Sequence, residues 1–302
     1  MPRSESPPPH KRARQSTPGE SRNGTSLPPL SLSILGVEPL DEFIKEIADF
    51  VHYTIVNRPP DLQGNVEVEA KVGLLRDRAS GQRLMLPVLV ETIIAPDRID
   101  LRFESNMSVH QHKHFNTRLN ELKMSSAQPS FPSTPLGYTH LRVVDSFYPT
   151  DNPHDKEKIR VTRDEKTGNV VECMRKIRLG DLNIYSPKRA ADWRVSVNLE
   201  VPVSHPIGSA THTRRKDRLS YTHEEFSIDL TQVTASASPN SPAELLHELE
   251  IEIARPALLL ATAAKRGDPN APELERSAFD ELIRAFVNNA RILVRNASEG
   301  WQ

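Results

Sequence analysis

Cysteine is almost missing from this chain. Cys173 is its single cysteine in 302 residues, which excludes an internal disulfide. A reducing compartment is expected, and the sequons at Asn23 and Asn296 then carry no weight. Long apolar runs are missing as well: none approaches the roughly 20 residues that cross a bilayer, and the N-terminus lacks the apolar core of a secretory signal. A soluble, intracellular protein is expected. Net charge is close to absent, with 39 basic against 40 acidic residues and a formal charge of −1. Any affinity for a polyanion must therefore come from local clustering of charge. The length leaves room for one large domain or two small ones, each able to bury a core.

The first 28 residues are Pro, Ser, Arg and Gly with almost nothing to bury, and they include the basic cluster Lys11-Arg12-Ala13-Arg14. Such a segment cannot offset its ordering entropy and should be disordered, its basic cluster either a nuclear address or a solvated tail. Order is expected from about Leu30. Apolar residues at helical spacing predict a helix over 41–56, capped by Asp41 and ended by Arg58-Pro59-Pro60. A strand follows over 66–75, then a loop over 76–82 and a second helix over 106–124. That helix carries His110, His112 and His114; the first and last share a face, so they are either a metal pair or exposed histidines on a surface helix. A Pro-rich loop over 128–135 leads into strands over 141–148, 158–162, 170–179, 184–185, 193–203, 214–223, 226–233 and 247–253, with a turn expected at Leu179-Gly180-Asp181. So many short-spaced strands suggest a barrel or sandwich. The last segment, 277–294, is helical again, its apolar stripe formed by Phe279, Leu282, Ile283, Phe286, Val287, Ala290, Ile292 and Leu293.

Charge patterning on the strands is the informative feature. Glu67-Val68-Glu69 near the start of the folded part and Glu248-Leu249-Glu250-Ile251-Glu252 near its end alternate carboxylates with apolar residues, so each strand presents its acids on one face. Between them, Lys176 and Arg178 share a face, as do Arg194, Ser196, Asn198 and Glu200; Arg214, Lys216 and Arg218; and Ser227, Asp229 and Thr231. Any one of these strands reads as the solvent side of a half-exposed sheet. Taken together, with acids at both ends and basic strands between, they suit a closed barrel with a charged lumen. Carboxylates there would take a hard cation, and guanidinium and ammonium groups would take phosphate oxygens.

The strings Val66-Glu67-Val68-Glu69-Ala70-Lys71-Val72-Gly73, Arg178-Leu179-Gly180-Asp181-Leu182-Asn183-Ile184-Tyr185-Ser186-Pro187, Asn198-Leu199-Glu200, Arg214-Arg215-Lys216-Asp217-Arg218 and Glu248-Leu249-Glu250-Ile251-Glu252 occur in this order. With them, residues 40–295 resemble the fungal mRNA-capping RNA 5′-triphosphatase, the beta subunit of the capping enzyme, within the triphosphate tunnel metalloenzymes. The resemblance implies an α+β fold, an eight-stranded antiparallel β-barrel with flanking helices, occupying 29–302. It also implies a bound Mg²⁺ or Mn²⁺ and removal of the γ-phosphate from the 5′-triphosphate end of nascent RNA in the nucleus. Glu67, Glu69 and Glu252 would be metal ligands, with Glu248 and Glu250 supporting them. Arg160, Lys176, Lys216 and Arg218 would bind phosphate oxygens, joined by Arg178, Arg194 and Arg214. Glu200 would orient or deprotonate the attacking water, and Asp229 and Thr231 would position their neighbours. A guanylyltransferase partner, contact with the polymerase tail and a homodimer are implied in the same way.

Two departures from that pattern are visible. Ser227 stands where a basic residue is expected two positions before Asp229, which would leave its phosphate contact to Arg214 or Arg215; Val72 is a packing change. Two other functions fit the same residues: hydrolysis of free nucleoside triphosphates or polyphosphate in the same tunnel, or a silent scaffold for capping.

Overall fold

The computed structural model describes residues 29–150, 157–236 and 242–301. The expected tail over 1–28, with its basic cluster, lies outside the described residues. The chain divides into a unit ending at Leu40 and a unit spanning Asp41–Gln302. Within the first, residues 29–40 form neither helix nor strand, and Ser33 Oγ donates to the Val37 carbonyl at 2.6 Å.

The second unit opens with helix α1 (Glu42–Val56), whose first turn is capped as expected: Asp41 accepts from the amides of Phe43 and Ile44 at 3.1 and 3.2 Å. Strand β1 (Asn65–Asp77), the short strands β2 (Thr92–Ile94) and β3 (Leu101–Glu104), and helix α2 (Val109–Ser126) follow. Six strands come next: β4 (Gly137–Tyr148), β5 (Ile159–Asp164), β6 (Val170–Tyr185), β7 (Asp192–Pro202), β8 (His212–His223) and β9 (Phe226–Ser236). The chain closes with β10 (Glu244–Ile253), α3 (Pro256–Lys265) and α4 (Glu273–Arg295).

The sheet runs β10-β9-β8-β4-β5-β6-β7-β1, every pairing antiparallel, and β1 pairs back onto β10. Eight strands thus close into a barrel, which leaves no free edge within the ring. β3 extends β1 and β2 extends β6 beyond that ring.

The expected turn at Leu179-Gly180-Asp181 is corrected here, because β6 runs through it as one strand. Its register against β7 slips between Arg178, opposite Asn198, and Gly180, opposite Val197, so a β-bulge takes the extra residue. The bulge resets which side chains face inward, from Lys176 and Arg178 before it to Asp181 and Asn183 after it. Glycine fits at 180 because a Cβ there would meet the Phe50 ring of α1 at 3.3 Å. Gly73 has a stricter reason: a Cβ would stand 2.2 Å from the Glu104 carbonyl oxygen of β3.

The hydrophobic core lies on the outside of the barrel, not within it. Val66, Val68, Ala70 and Val72 of β1, Trp193, Val195, Val197 and Leu199 of β7, and Leu249 and Ile251 of β10 point outward and are buried with the apolar faces of α1, α3 and α4. The stripe on α4 matches expectation except at Ile292, which is 53% exposed; Val294 is buried in its stead. At one end Asp192, fully buried, accepts from the amides of Leu75 and Ser186 and from Arg83 at 2.7 Å, tying β7 to the loop after β1.

Candidate active site

With apolar residues turned out against the helices, period two turns the polar residues of the same strands in. β1 presents Glu67, Glu69 and Lys71, and β10 presents Glu248, Glu250 and Glu252. The closing pair of the barrel sets Glu69 opposite Glu252 and Lys71 opposite Glu250, so the two acidic strands at opposite ends of the sequence become neighbours. They line a cavity of about 670 Å³.

Most cations in this cavity are held by carboxylates. Lys71 lies 2.9 Å from Glu250, 3.8 Å from Glu69 and 3.9 Å from Glu248. Lys176 pairs with Glu67 and lies 3.5 Å from Glu69, while Asn198 donates to both acids at 2.9 and 3.3 Å. Arg218 spans Asp229 at 2.7 Å and Glu250 at 3.1 Å, and its Nε donates to Thr231 at 3.1 Å. Lys216 lies 2.7 Å from Asp145, itself only 1% exposed and held by Thr162 at 2.7 Å. Arg160 reaches Glu172 at 3.0 Å and Glu200 at 3.5 Å.

The pairing is uneven, and titration reflects that. Burial and the neighbouring acids Asp229, Glu250 and Glu67 push the Glu252 carboxyl up to about 8, with Arg218 opposing. Glu252 has no ion-pair partner among the described residues. Burial also raises Glu69 in spite of Lys71 and Lys176, and burial with the nearby Glu67 raises Glu200. Glu250 behaves oppositely: against the cost of burial, Lys71 and Arg218 hold it well below the usual carboxylate range. Six carboxylates, Glu67, Glu69, Asp229, Glu248, Glu250 and Glu252, thus surround three cations, Lys71, Lys176 and Arg218. An all-oxygen donor set with surplus negative charge fits a hard divalent cation. As the side chains stand, no three acidic groups converge as a metal cluster among the described residues, because Glu67 and Glu69 engage Lys176 and Lys71.

The family described as mRNA capping enzyme, beta chain, has a sequence model that matches residues 37–299. The chain belongs to that family. It is 35% identical over 276 residues to the mRNA-capping enzyme subunit beta of Schizosaccharomyces pombe, covering 90% of this chain and 87% of that protein. Its fold is similar to the solved structure of S. pombe Pct1 RNA triphosphatase, with a TM-score of 0.79 at 34% identity over 90% of this chain and 100% of the other. A second structure of that triphosphatase, in complex with the Spt5 CTD, matches with the same TM-score at 33% identity, over 89% of this chain and 100% of that one.

Most residues expected for this family's site come together. Glu67, Glu69, Arg160, Lys176, Arg178, Glu200, Arg214, Lys216, Arg218, Glu248, Glu250 and Glu252 all line the cavity, and Asp229 and Thr231 stand behind them on Arg218. Arg194 does not line it. Past the β6 bulge it bonds Asn183 at 2.8 Å and Asp181 at 3.3 Å, with its guanidinium 4.8 Å from the centre of the Phe103 ring. Arg178 is largely exposed and pairs with Asp181. Arg215 faces out toward Glu165, and Arg214 stands opposite Ala235 at the other end of β9 from Ser227, so neither covers for it, contrary to expectation. Ser227 itself donates to Asp229 at 3.0 Å, trading a phosphate contact for a grip on the acid that holds Arg218.

The histidine cluster on α2 disperses. His110 is exposed, His112 packs on His247 at 4.6 Å, and His114 bonds the Asn296 carbonyl at 2.8 Å. Lys71 and Asp145 carry no role in the sequence reading, yet both sit at the centre of the cavity. Lys71 was visible as a lone base among acids on the face of β1. Asp145 shares its face with Leu141, Val143 and Phe147, which hides it from any polar-face pattern.

Proposed function

We propose that this chain hydrolyses the γ-phosphate of 5′-triphosphate RNA, giving 5′-diphosphate RNA and phosphate, as the first step of mRNA capping. The observation that carries the proposal is the β1–β10 register, which joins Glu69 to Glu252 inside a tunnel whose other walls carry Arg160, Lys176, Lys216 and Arg218. In-line displacement at a γ-phosphoryl group leaves the protein little covalent work, so positioning and charge stabilisation supply most of the rate.

In this reading Glu67, Glu69 and Glu252 hold Mg²⁺ or Mn²⁺, with Glu248 and Glu250 supporting them through Lys71. When bound there, the ion polarises a phosphate oxygen and orients the group under attack. Lys216, Arg218, Lys176 and Arg160 bind the phosphate oxygens, Lys176 and Arg160 from the wall beside Glu200. Glu200, raised in pKa by burial and placed between those two cations, orients the attacking water and takes its proton. Arg178 and Arg214 meet phosphates at the openings, and Arg194 fixes the far side of the bulge.

The tail over 1–28, the triphosphatase domain over 29–302, nuclear location, a guanylyltransferase partner and a homodimer belong to the same proposal. The S. pombe protein solved with the Spt5 CTD supports docking of this chain on a polymerase-associated tail.

The test is phosphate release from RNA labelled on its 5′ γ-phosphate, with Mg²⁺, Mn²⁺ or EDTA, beside Glu252→Ala. Metal-dependent release of the γ-phosphate alone, lost in the variant, is the expected result. Turnover of ATP or tripolyphosphate without RNA would move the substrate, and an active variant would sink the carboxylate assignment.

A further inference from the structure

Polyphosphate chemistry accounts for the acids and bases of the tunnel but not for the ring pair at one of its ends. Phe147, near the end of β4, and His212, at the start of β8, face each other in register and both line the cavity. Their rings are parallel within 1° with centroids 4.4 Å apart. The backbone beneath them is fixed: the Thr211 amide donates to the Phe147 carbonyl at 2.7 Å and the Thr211 hydroxyl to the same oxygen at 3.0 Å. Arg214 approaches Phe147 with its guanidinium 5.2 Å from the ring centre, and Lys158 Nζ lies 3.5 Å from His212 Nδ1.

Two contrasts set this end apart. Deeper in the tunnel Lys216 is locked to Asp145, whereas neither Lys158 nor Arg214 has an ion-pair partner among the described residues, and both are exposed. The platform also lies one two-residue step along β4 from Asp145, about 7 Å of strand. An RNA whose triphosphate is held by Lys216 and whose chain leaves the tunnel at this end would pass over the platform. Among the described residues no other ring or guanidinium covers His212. Burial, with Lys158 and Arg214 nearby, lowers its pKa, so the imidazole is neutral at pH 7 and suited to stacking.

We propose that the Phe147–His212 pair is the stacking platform for the first base of the RNA, with Lys158 and Arg214 taking the phosphodiester that follows. This rests on the RNA triphosphatase reading and adds to it the feature that favours RNA over free polyphosphate. Stacking is tolerant of base identity, as an enzyme acting on any transcript requires.

The measurement is KM and kcat on 5′-triphosphate RNA and on inorganic tripolyphosphate, for the wild type, His212→Ala, Phe147→Ala and His212→Phe. Loss of one stack should raise the ratio of KM for RNA to KM for tripolyphosphate about fivefold to tenfold in both alanine variants, the lower part of the range for removing a base–aromatic contact, and His212→Phe should restore it. An equal change on both substrates, an unchanged ratio, or no rescue by phenylalanine overturns the platform while leaving the triphosphatase standing. A wild-type protein that turns over tripolyphosphate but not RNA overturns both.

Discussion

Glu252 is where the demands of stability and of catalysis separate, and Glu252→Gln measures the separation. Its carboxyl is pushed from the ordinary 4.5 to about 8 by burial and by Asp229, Glu250 and Glu67. Between those values the folded protein keeps a proton that the unfolded chain has released, so stability falls as pH rises from about 4.5 to about 8. At about 1.4 kcal/mol per pH unit the cost at pH 7 is roughly 3 kcal/mol, all of it absent at pH 4.5. Glutamine keeps the shape and cannot ionise. In EDTA, Glu252→Gln should therefore be more stable than the wild type at pH 7 by up to about 3 kcal/mol, or roughly 6 °C for a unit of this size, and indistinguishable from it near pH 4.5. Thermal or urea unfolding at both pH values decides the matter, with phosphate release showing the variant inactive. Glutamine that destabilises the protein at pH 7, or stabilises it equally at both, would refute the account of a carboxylate held against repulsion.

Mg²⁺ or Mn²⁺ in excess should raise the wild-type midpoint at pH 8 by more than at pH 6, since binding needs an ionised Glu252, and should leave the glutamine variant nearly unmoved; calorimetry in both buffers checks this. Asp192→Ala removes the partner of Arg83 and of two buried amides. It should cost about 3–5 kcal/mol in urea unfolding, with activity per folded molecule retained. A leucine at position 180 must displace Phe50 from the β6 bulge and should cost about 1–3 kcal/mol by the same assay.

The barrel was legible because its strands obey period two almost without exception, and the site because those same strands carry charge on the inner face. Glu67, Glu69, Lys176, Lys216, Arg218 and Glu252 could be read as one face each from the sequence; only the β1–β10 register shows that those faces meet. β2 and β3 span three and four residues, too few for an alternation to register. α3 was missed because Pro256-Ala257-Leu258-Leu259-Leu260 is a short apolar run without a polar stripe, although proline at a helix's first position is a known start signal. The bulge at Leu179-Gly180 was read as a turn since glycine before aspartate marks either, and only contact with Phe50 distinguishes them. Arg194 was assigned to the wall because it does share the β7 face of Ser196, Asn198 and Glu200; Asn183, Asp181 and Phe103 hold it at the end of that face beyond the cavity, which alternation alone does not reveal.

The acids that hold the tunnel's cations do different jobs, and Lys216 shows which. A carboxylate beside a phosphate-binding lysine is a competitor for it unless something keeps the acid where it is. Asp145 is kept: Thr162 donates to it at 2.7 Å, it is 1% exposed, and Lys216 is its ion-pair partner at 2.7 Å. It therefore orients the ammonium group without swinging toward the incoming oxygens, as Ser227 does for Asp229 and, through it, Arg218. Burial, with Arg160 and Arg218 nearby, lowers the pKa of Lys216 in spite of Asp145, so a phosphate oxygen arriving there adds a second counter-charge beside Asp145. Lys216→Ala should lower kcat on RNA by about 10²–10³, the loss typical of one preorganised electrostatic contact. It should also cost about 3–5 kcal/mol of stability, because Asp145 is left buried without a cation. Adding Asp145→Asn to that variant should recover most of the stability and none of the rate. Recovery of both in the double variant would mean that the lysine serves the fold and not the phosphate.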